Sequence, residues 1–413
     1  VELREKYPLV GRRILGIDAA SNEIGCRAEV FAQAFRYLKD HRWSYMTADG
    51  MKNLPQLYAT YHVGEDFLDL ADGLRAIDEA VLFLRLGSGD RLGHALALGI
   101  DVEEWYASKN YRIVLPKQDY LDNLVWIYHK LSEFNIQGFD NLKEWILGEF
   151  TVLFSEIYAA AVNKTEFRCI AERTTSSDRS GNCFFSQGNS CIFNYYYAWM
   201  LRGDLPELYS HGYFNEEEYV RRNREFLVNS YHPDRYEYRL NSEISFLYYM
   251  YHYNQKVHSE GNRIQEFIVS KYYVKAVAEL QNALQKRIAT CGIAIETNPS
   301  SNFLIGTFRK YEKHPIIRFY NKGLVHDPKK LAECSQIPVS VNTDDQGVFN
   351  TSLENEYALL ACAIESLTDS QGKPLYNKYD IYDWLDRIRR MGNEQSFGHI
   401  ADMKEMGGYY DLR

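Results

Sequence analysis

The sequence has no run of apolar residues approaching the roughly 18–20 that a membrane-spanning helix needs, which argues against a membrane partner. It also lacks paired cysteines. The seven, Cys26, Cys169, Cys183, Cys191, Cys291, Cys334 and Cys362, are odd in number and scattered, and no C-x-x-C occurs. Zinc ribbons and disulfide frameworks need tighter, paired spacing, so reduced thiols and a cytoplasmic location are expected. Positive charge is not in excess: 47 Lys and Arg stand against 56 Asp and Glu, a net charge of −9. A general nucleic-acid coat is therefore excluded, because neutralising phosphates needs clustered cations. A local basic cleft is not. No repeat of fixed period is present.

What is present is ample apolar and aromatic material. Of the 413 residues 46% are hydrophobic and 33 are Tyr, enough for large cores and far from a disordered composition. Up to about residue 105, short β-rich runs alternate with amphipathic helical runs. Arg13–Asp18, Leu57–Tyr61 and Asp90–His94 read as strands, while 27–38 and 67–86 carry apolar residues at helical spacing. Such alternation implies parallel βα units. Residues 105–270 break the rhythm and read as mainly helical, with aromatic clusters at 194–199 and 246–251. The polar stretch 174–189 reads as a loop. Alternation then resumes: a helix at 276–288, strands at 293–296 and 338–342, and closing helices at 353–367 and 381–391.

Every strand candidate ends in polar, reactive residues. Asp18 comes first, then His62 and Glu65, then His94, then Asn298 to Asn302, then Asp344 and Asp345. In a parallel α/β barrel the active site is assembled at these C-terminal strand ends. His62 and Asp344 are of the types that bind Zn²⁺, and such a metal acidifies water. Glu65, one turn beyond His62, suits proton transfer to a substrate nitrogen. His94 suits orientation of the attacking hydroxide and stabilisation of developing charge. Asp345 is free to hydrogen-bond a heterocycle.

These residues also carry a resemblance to the adenosine deaminase family. Tyr61-His62-Val63-Gly64-Glu65 resembles its H-A-G-E, Arg91-Leu-Gly-His94 its R-[IL]-G-H, and Glu296-Thr-Asn-Pro-Ser-Ser-Asn302 its C-P-x-S-N. Val341-Asn-Thr-Asp-Asp345 matches N-T-D-D, 351–357 matches T-x-L-x-x-E-Y, and 16–23 resembles G-I-D-L-A-G-x-E. The resemblance implies a (β/α)8 TIM-type barrel of which this chain holds the C-terminal part. Strands four to six would lie in residues 1–105 and strands seven and eight in 273–413, with a helical insertion at 106–272. It implies a Zn²⁺ enzyme with His62 and Asp344 as ligands, Glu65 as acid/base, His94 assisting the attack and Asp345 contacting the purine. Ser21 stands where the family has a glycine whose backbone N–H meets a ring nitrogen.

Two departures shape the expectation. The family's H-x-H, two further zinc ligands, is absent, and no sequence precedes strand four by enough to supply strands one to three. The chain, opening on Val1 rather than Met, is therefore expected to be part of a longer polypeptide. The large insertion resembles the oversized deaminase subunit of the RADAR antiphage system more than the deaminases of type III CRISPR defence. That implies adenosine, ATP, dATP or adenosine in RNA as substrate, a large homo-oligomer and an ATPase partner. The competing expectation is a catalytically silent barrel serving as an oligomeric scaffold or sensor subunit. Among the remaining features, Asp18 reads as structural and His314 as fixing a turn. The Tyr clusters read as core or interface, and Glu216–Glu218 with Arg221, Arg222 and Arg224 as a solvated helix face.

Overall fold

A computed structural model describes residues 1–20, 22–159, 189–226, 236–306, 308 and 310–405. Ser21 and the predicted loop up to residue 188 lie outside the described residues. Nine strands are described: β1 (Gly16–Ala19), β2 (Ser44–Thr47), β3 (Gly50–Asn53), β4 (Tyr58–Val63), β5 (Arg91–His94), β6 (Arg112–Pro116), β7 (Ile264–Ile268), β8 (Ala294–Thr297) and β9 (Val339–Val341). Five of them form one sheet in the order β1-β4-β5-β8-β9, and every neighbouring pair is parallel. The five strands thus follow one another in chain order across the sheet, as the alternating pattern predicts.

The strand period of two divides each strand between two environments. Along β4, Ala59, Tyr61 and Val63 point to one face and are buried, with Phe31 and Phe35 packed edge-on against Tyr61. The backing helices Ala32–Asp40, Leu70–Phe83, Lys271–Cys291 and Lys378–Glu394 supply that side with apolar stripes, among them Leu74, Ile77, Leu284, Ile288 and Trp384. The opposite face is polar: Thr60 Oγ1 donates to Glu296 Oε2 at 3.0 Å, and Arg91 Nε pairs with Glu296 Oε1 at 2.5 Å.

Two short antiparallel ribbons depart from the expected pattern. β2 and β3 form a hairpin around Ala48 and Asp49, in a stretch with no apolar alternation to announce it. The second ribbon, β6 with β7, joins the two ends of the segment that reads as helical throughout. Only Ile113, Leu115 and Phe267 of this ribbon are buried, so its period-two signal is short and one-sided. Between the ribbon strands the described residues are helical, as expected, including Lys117–Glu133, Asp140–Phe154, Asn189–Met200 and Ser242–Tyr253.

The aromatic clusters contribute to the core: the Tyr195 hydroxyl donates to Asp122 and that of Tyr248 to the Asp204 carbonyl. Outside the clusters the Tyr209 hydroxyl donates to Asp204, and those of Tyr106 and Tyr273 to Asp69. A buried ion network continues this theme. Arg75 pairs with Asp72 and Glu79, Arg202 makes two bonds to Asp122 at 2.6 and 2.9 Å, and Arg27 reaches Asp72 and Glu79. Trp199 Nε1 donates to Glu79 at 2.8 Å, tying the helical segment to the helix behind β4 and β5. The helix Glu216–Phe226 carries its Arg221–Glu218 pair exposed, as expected. No described helix is long and apolar enough to cross a membrane.

Candidate metal centre

His62 is the fifth residue of β4, on the polar face. Its ring lies across Gly93 of the neighbouring strand, where an added Cβ would come within 2.7 Å of His62 Cδ2. Glycine at 93 is therefore a packing requirement of the imidazole. His62 Nδ1 lies 3.2 Å from Asp18 Oδ1 on β1. In the neutral ring, an Nδ1–H donated to that carboxylate leaves the Nε2 lone pair free. Burial lowers the affinity of His62 for a proton. The hydrogen bond and charge of Asp18, with Glu296 and Asp344 behind them, outweigh this and raise its pKa to about 9.

Beyond β4 the chain turns at Gly64, and the Glu23 carboxylate accepts the backbone N–H groups of Gly64 at 2.6 Å and Glu65 at 3.2 Å. This clamp sets the loop that carries Glu65. Burial pushes the Glu65 carboxyl up to about 8, against a lowering hydrogen bond from Asn302, and the charges of Glu23, Asp344 and Asp66 push the same way as burial. Burial likewise raises Glu23 to about 7, despite backbone donors at Glu65, Gly64 and Asp66.

His94 ends β5 in a left-handed backbone conformation, φ +63°. It is 4% exposed. Its ring centroid lies 5.0 Å from that of His62, and its Nε2 lies 3.8 Å from Asp344 Oδ2. Burial and the neighbouring His62 lower its pKa to about 4. Asp344, after β9, is also left-handed at φ +56° and accepts the Ser301 hydroxyl at 2.7 Å. Non-glycine residues held in this region cost of order 1–3 kcal/mol and cluster at functional sites. Both His94 and Asp344 are such residues.

The structure thus brings His62, Glu65, His94 and Asp344 together from three separate strand ends. Ligand atoms of His62, His94 and Asp344 lie within 4.8 Å of one another. Asp345 stands apart from the cluster's contacts: it is exposed and caps the short helix Gln346–Phe349, accepting the Val348 N–H at 3.3 Å. Ser21 lies outside the described residues.

The donor set fits a zinc ion. Imidazole nitrogen and carboxylate oxygen are ordinary zinc donors, and the carboxylate behind His62 is the partner that metal-bound imidazoles usually keep. The raised proton affinity of His62 marks a spot where the surroundings favour positive charge.

Three contributors escape a reading by residue type alone. Asn302, fully buried, donates from Nδ2 to Glu65 Oε1 and to His94 Nδ1, both at 2.8 Å. Glu356, also fully buried, accepts the Ser300 N–H at 2.9 Å and the Thr351 hydroxyl at 2.6 Å, and so seats the helix Pro299–Ile305 that carries Ser301 and Asn302. Glu23 is the third. All three stand inside the deaminase-like motifs, and Asn302 also falls in the strand-end series.

Residues 274–375 match the adenosine deaminase family. The matched segment includes Asn302, His314, Asp344 and Glu356, whereas His62, Glu65 and His94 lie before it. Several curated proteins are also similar to part of the chain, three of them as follows. An adenine deaminase of Rhizobium etli is 33% identical over 88 residues, 21% of this chain and 23% of that protein. An aminodeoxyfutalosine deaminase of Streptomyces coelicolor is 33% identical over 78 residues, 19% and 17% of the two chains. An adenosine deaminase of Plasmodium gallinaceum is 37% identical over 65 residues, 16% and 14%. In these matches the chain spans less than a quarter of the length of its curated relatives.

Proposed function

We propose that this chain carries much of the active site of a zinc-dependent hydrolase that replaces the C6 amino group of an adenine compound with oxygen, releasing ammonia. The observation that carries the reading is the convergence of His62, Glu65, His94 and Asp344 at the ends of three parallel strands. The deaminase match over 274–375 supports it. The five strands are, in this reading, strands four to eight of a closed barrel, with residues 106–272 inserted between the sixth and seventh.

His62 and Asp344 would hold the metal, with two further ligands expected from an H-x-H that this chain lacks. When bound, zinc supplies Lewis acidity that makes water nucleophilic near neutral pH. The chain's own residues do the rest. Glu65, its carboxyl raised to about 8 by burial, holds a proton at neutral pH and delivers it to a ring nitrogen. His94, fixed beside Asp344, orients the attacking oxygen. Asp345 trades its capping bond to Val348 for a contact to the purine, and the backbone at Ser21 donates to a second ring nitrogen.

By the resemblance to the large antiphage deaminases, adenosine, ATP, dATP and adenosine in RNA are the proposed substrates. A large homo-oligomer with an ATPase partner is the proposed assembly. Ammonia release from adenine, adenosine, ATP, dATP and adenosine-containing RNA by the zinc-loaded full-length protein tests the reading. Turnover of at least one is expected. A silent panel with a full metal complement would favour the scaffold reading instead.

A further inference from the structure

We infer that Asn302 and His314 are positioning residues that fix His94 as the tautomer protonated on Nε2, through a chain of hydrogen bonds anchored at two backbone N–H groups. The inference rests on the proposed reaction for its kinetic consequence only; the tautomer itself is a property of the fold.

The chain can be read from its two ends because a backbone N–H only donates. The Ile316 N–H donates to His314 Nδ1 at 3.2 Å, so that nitrogen is an acceptor and the ring's proton sits on Nε2. His314 Nε2–H then donates to Asn302 Oδ1 at 3.1 Å. Independently, the Asn298 N–H donates to the same Oδ1 at 3.2 Å. Two donors converging on one atom identify it as the amide oxygen, which sets the orientation of the Asn302 side chain. Its NH₂ group must face the other way. There it has two acceptors at 2.8 Å, Glu65 Oε1 and His94 Nδ1, one for each hydrogen. The Asn298 side-chain amide approaches His94 Nδ1 as well, at 3.1 Å, so two amide donors lie closer to that nitrogen than the one acceptor near it, Glu65 Oε1 at 3.3 Å.

Two consequences follow for the reacting groups. With Nδ1 accepting, neutral His94 carries its proton on Nε2, the nitrogen 3.8 Å from Asp344 Oδ2. That makes His94 a donor toward the reaction centre, and leaves His62 and Asp344 as the ligand pair within the three-residue cluster. With Oε1 of Glu65 taken by the amide, the proton of that carboxyl belongs on Oε2. One buried amide therefore sets the proton position of both the acid and the imidazole. Asn302 and His314 are themselves held in place, 0% and 6% exposed.

The test is a spectrum and a kinetic comparison on the full-length protein. Selective ¹⁵N-histidine labelling with long-range ¹H–¹⁵N correlation reads the tautomer of each ring in the metal-free state. Both His94 and His314 are expected as the Nε2–H form. Asn302→Asp replaces the amide donor with an acceptor and is expected to move the His94 proton to Nδ1. In the zinc-loaded protein kcat should fall roughly 10–100-fold, the range for outer-shell partners, with KM little changed. His314→Gln keeps a donor and should retain most of kcat, whereas His314→Phe should not. Should Asn302→Asp fail to fold, the His314 pair still decides. An Nδ1–H signal at His94 in the unmutated protein overturns the inference, as does unchanged kcat in His314→Phe. If no adenine compound is turned over, the proposed reaction fails while the spectrum still decides the tautomer.

Discussion

Asp18 Oδ1 lies 3.2 Å from His62 Nδ1, bridging two neighbouring parallel strands at the same end of the sheet. The contact is half-exposed on the Asp18 side, 49% against 15% for His62, so its direct worth to stability is small. Its value lies in orientation: it fixes the imidazole across Gly93 with Nδ1 toward β1. Asp18→Ala is therefore expected to leave the fold intact and to weaken zinc binding roughly 10–100-fold. Competition with a chromogenic chelator measures this, and an unchanged affinity would remove Asp18 from the site.

The buried ion network makes a separate prediction about stability. Arg202 is 4% exposed and makes two bonds to Asp122, which also faces Arg75. Breaking a buried pair by removing one partner leaves an uncompensated charge and costs about 3–5 kcal/mol. Arg202→Met should lower the thermal midpoint by several degrees. Asp122→Asn in the same background should recover part of the loss, because it removes the stranded carboxylate. A melt unchanged by Arg202→Met would contradict the pairing.

Acid sensitivity follows from a histidine remote from the metal centre. His129 is buried and stacks on Tyr196 with ring centroids 3.9 Å apart. Burial, helped by Lys130 and Lys143, lowers its pKa to about 4. Its unfolded value is about 6.5. A folded pKa below the unfolded one means the unfolded state binds the proton more tightly. Stability from neutral His129 is thus fully present above pH ~6.5 and lost as the pH falls toward about 4. His129→Phe keeps the stack and removes the titration. Its melting temperature should fall less than that of the unmutated protein between pH 7 and pH 5, and parallel curves would sink the claim.

Much of this architecture is legible in the sequence, and the reasons are physical. The five parallel strands and their helices announce themselves because a sheet covered by helices needs apolar runs of one period followed by runs of the other. His62, Glu65, His94 and Asp344 are legible because reactive groups at successive strand ends rarely arise by chance. The β6–β7 ribbon is not, since only three of its residues are buried and the pattern is too short to compete with flanking helices. Asn302 and Glu356 are buried amide and carboxyl groups whose importance lies in what they touch, and partners 56 to 237 residues away leave no local trace. Asp345 beside Asp344 reads as a second site residue, and in the structure its carboxylate also makes a helix-capping bond, a role that residue type alone does not reveal.

The central claim is that the clustered strand-end residues deaminate an adenine compound, with Glu65 moving the proton. Its most direct test is Glu65→Gln in the full-length protein, reading zinc content and ammonia release side by side on whichever substrate the unmutated protein turns over. Gln keeps the side chain's shape and its acceptor for Asn302 but cannot deliver an acidic proton. The account predicts a full zinc complement and ammonia release reduced to background. Ammonia release at the unmutated rate would contradict it.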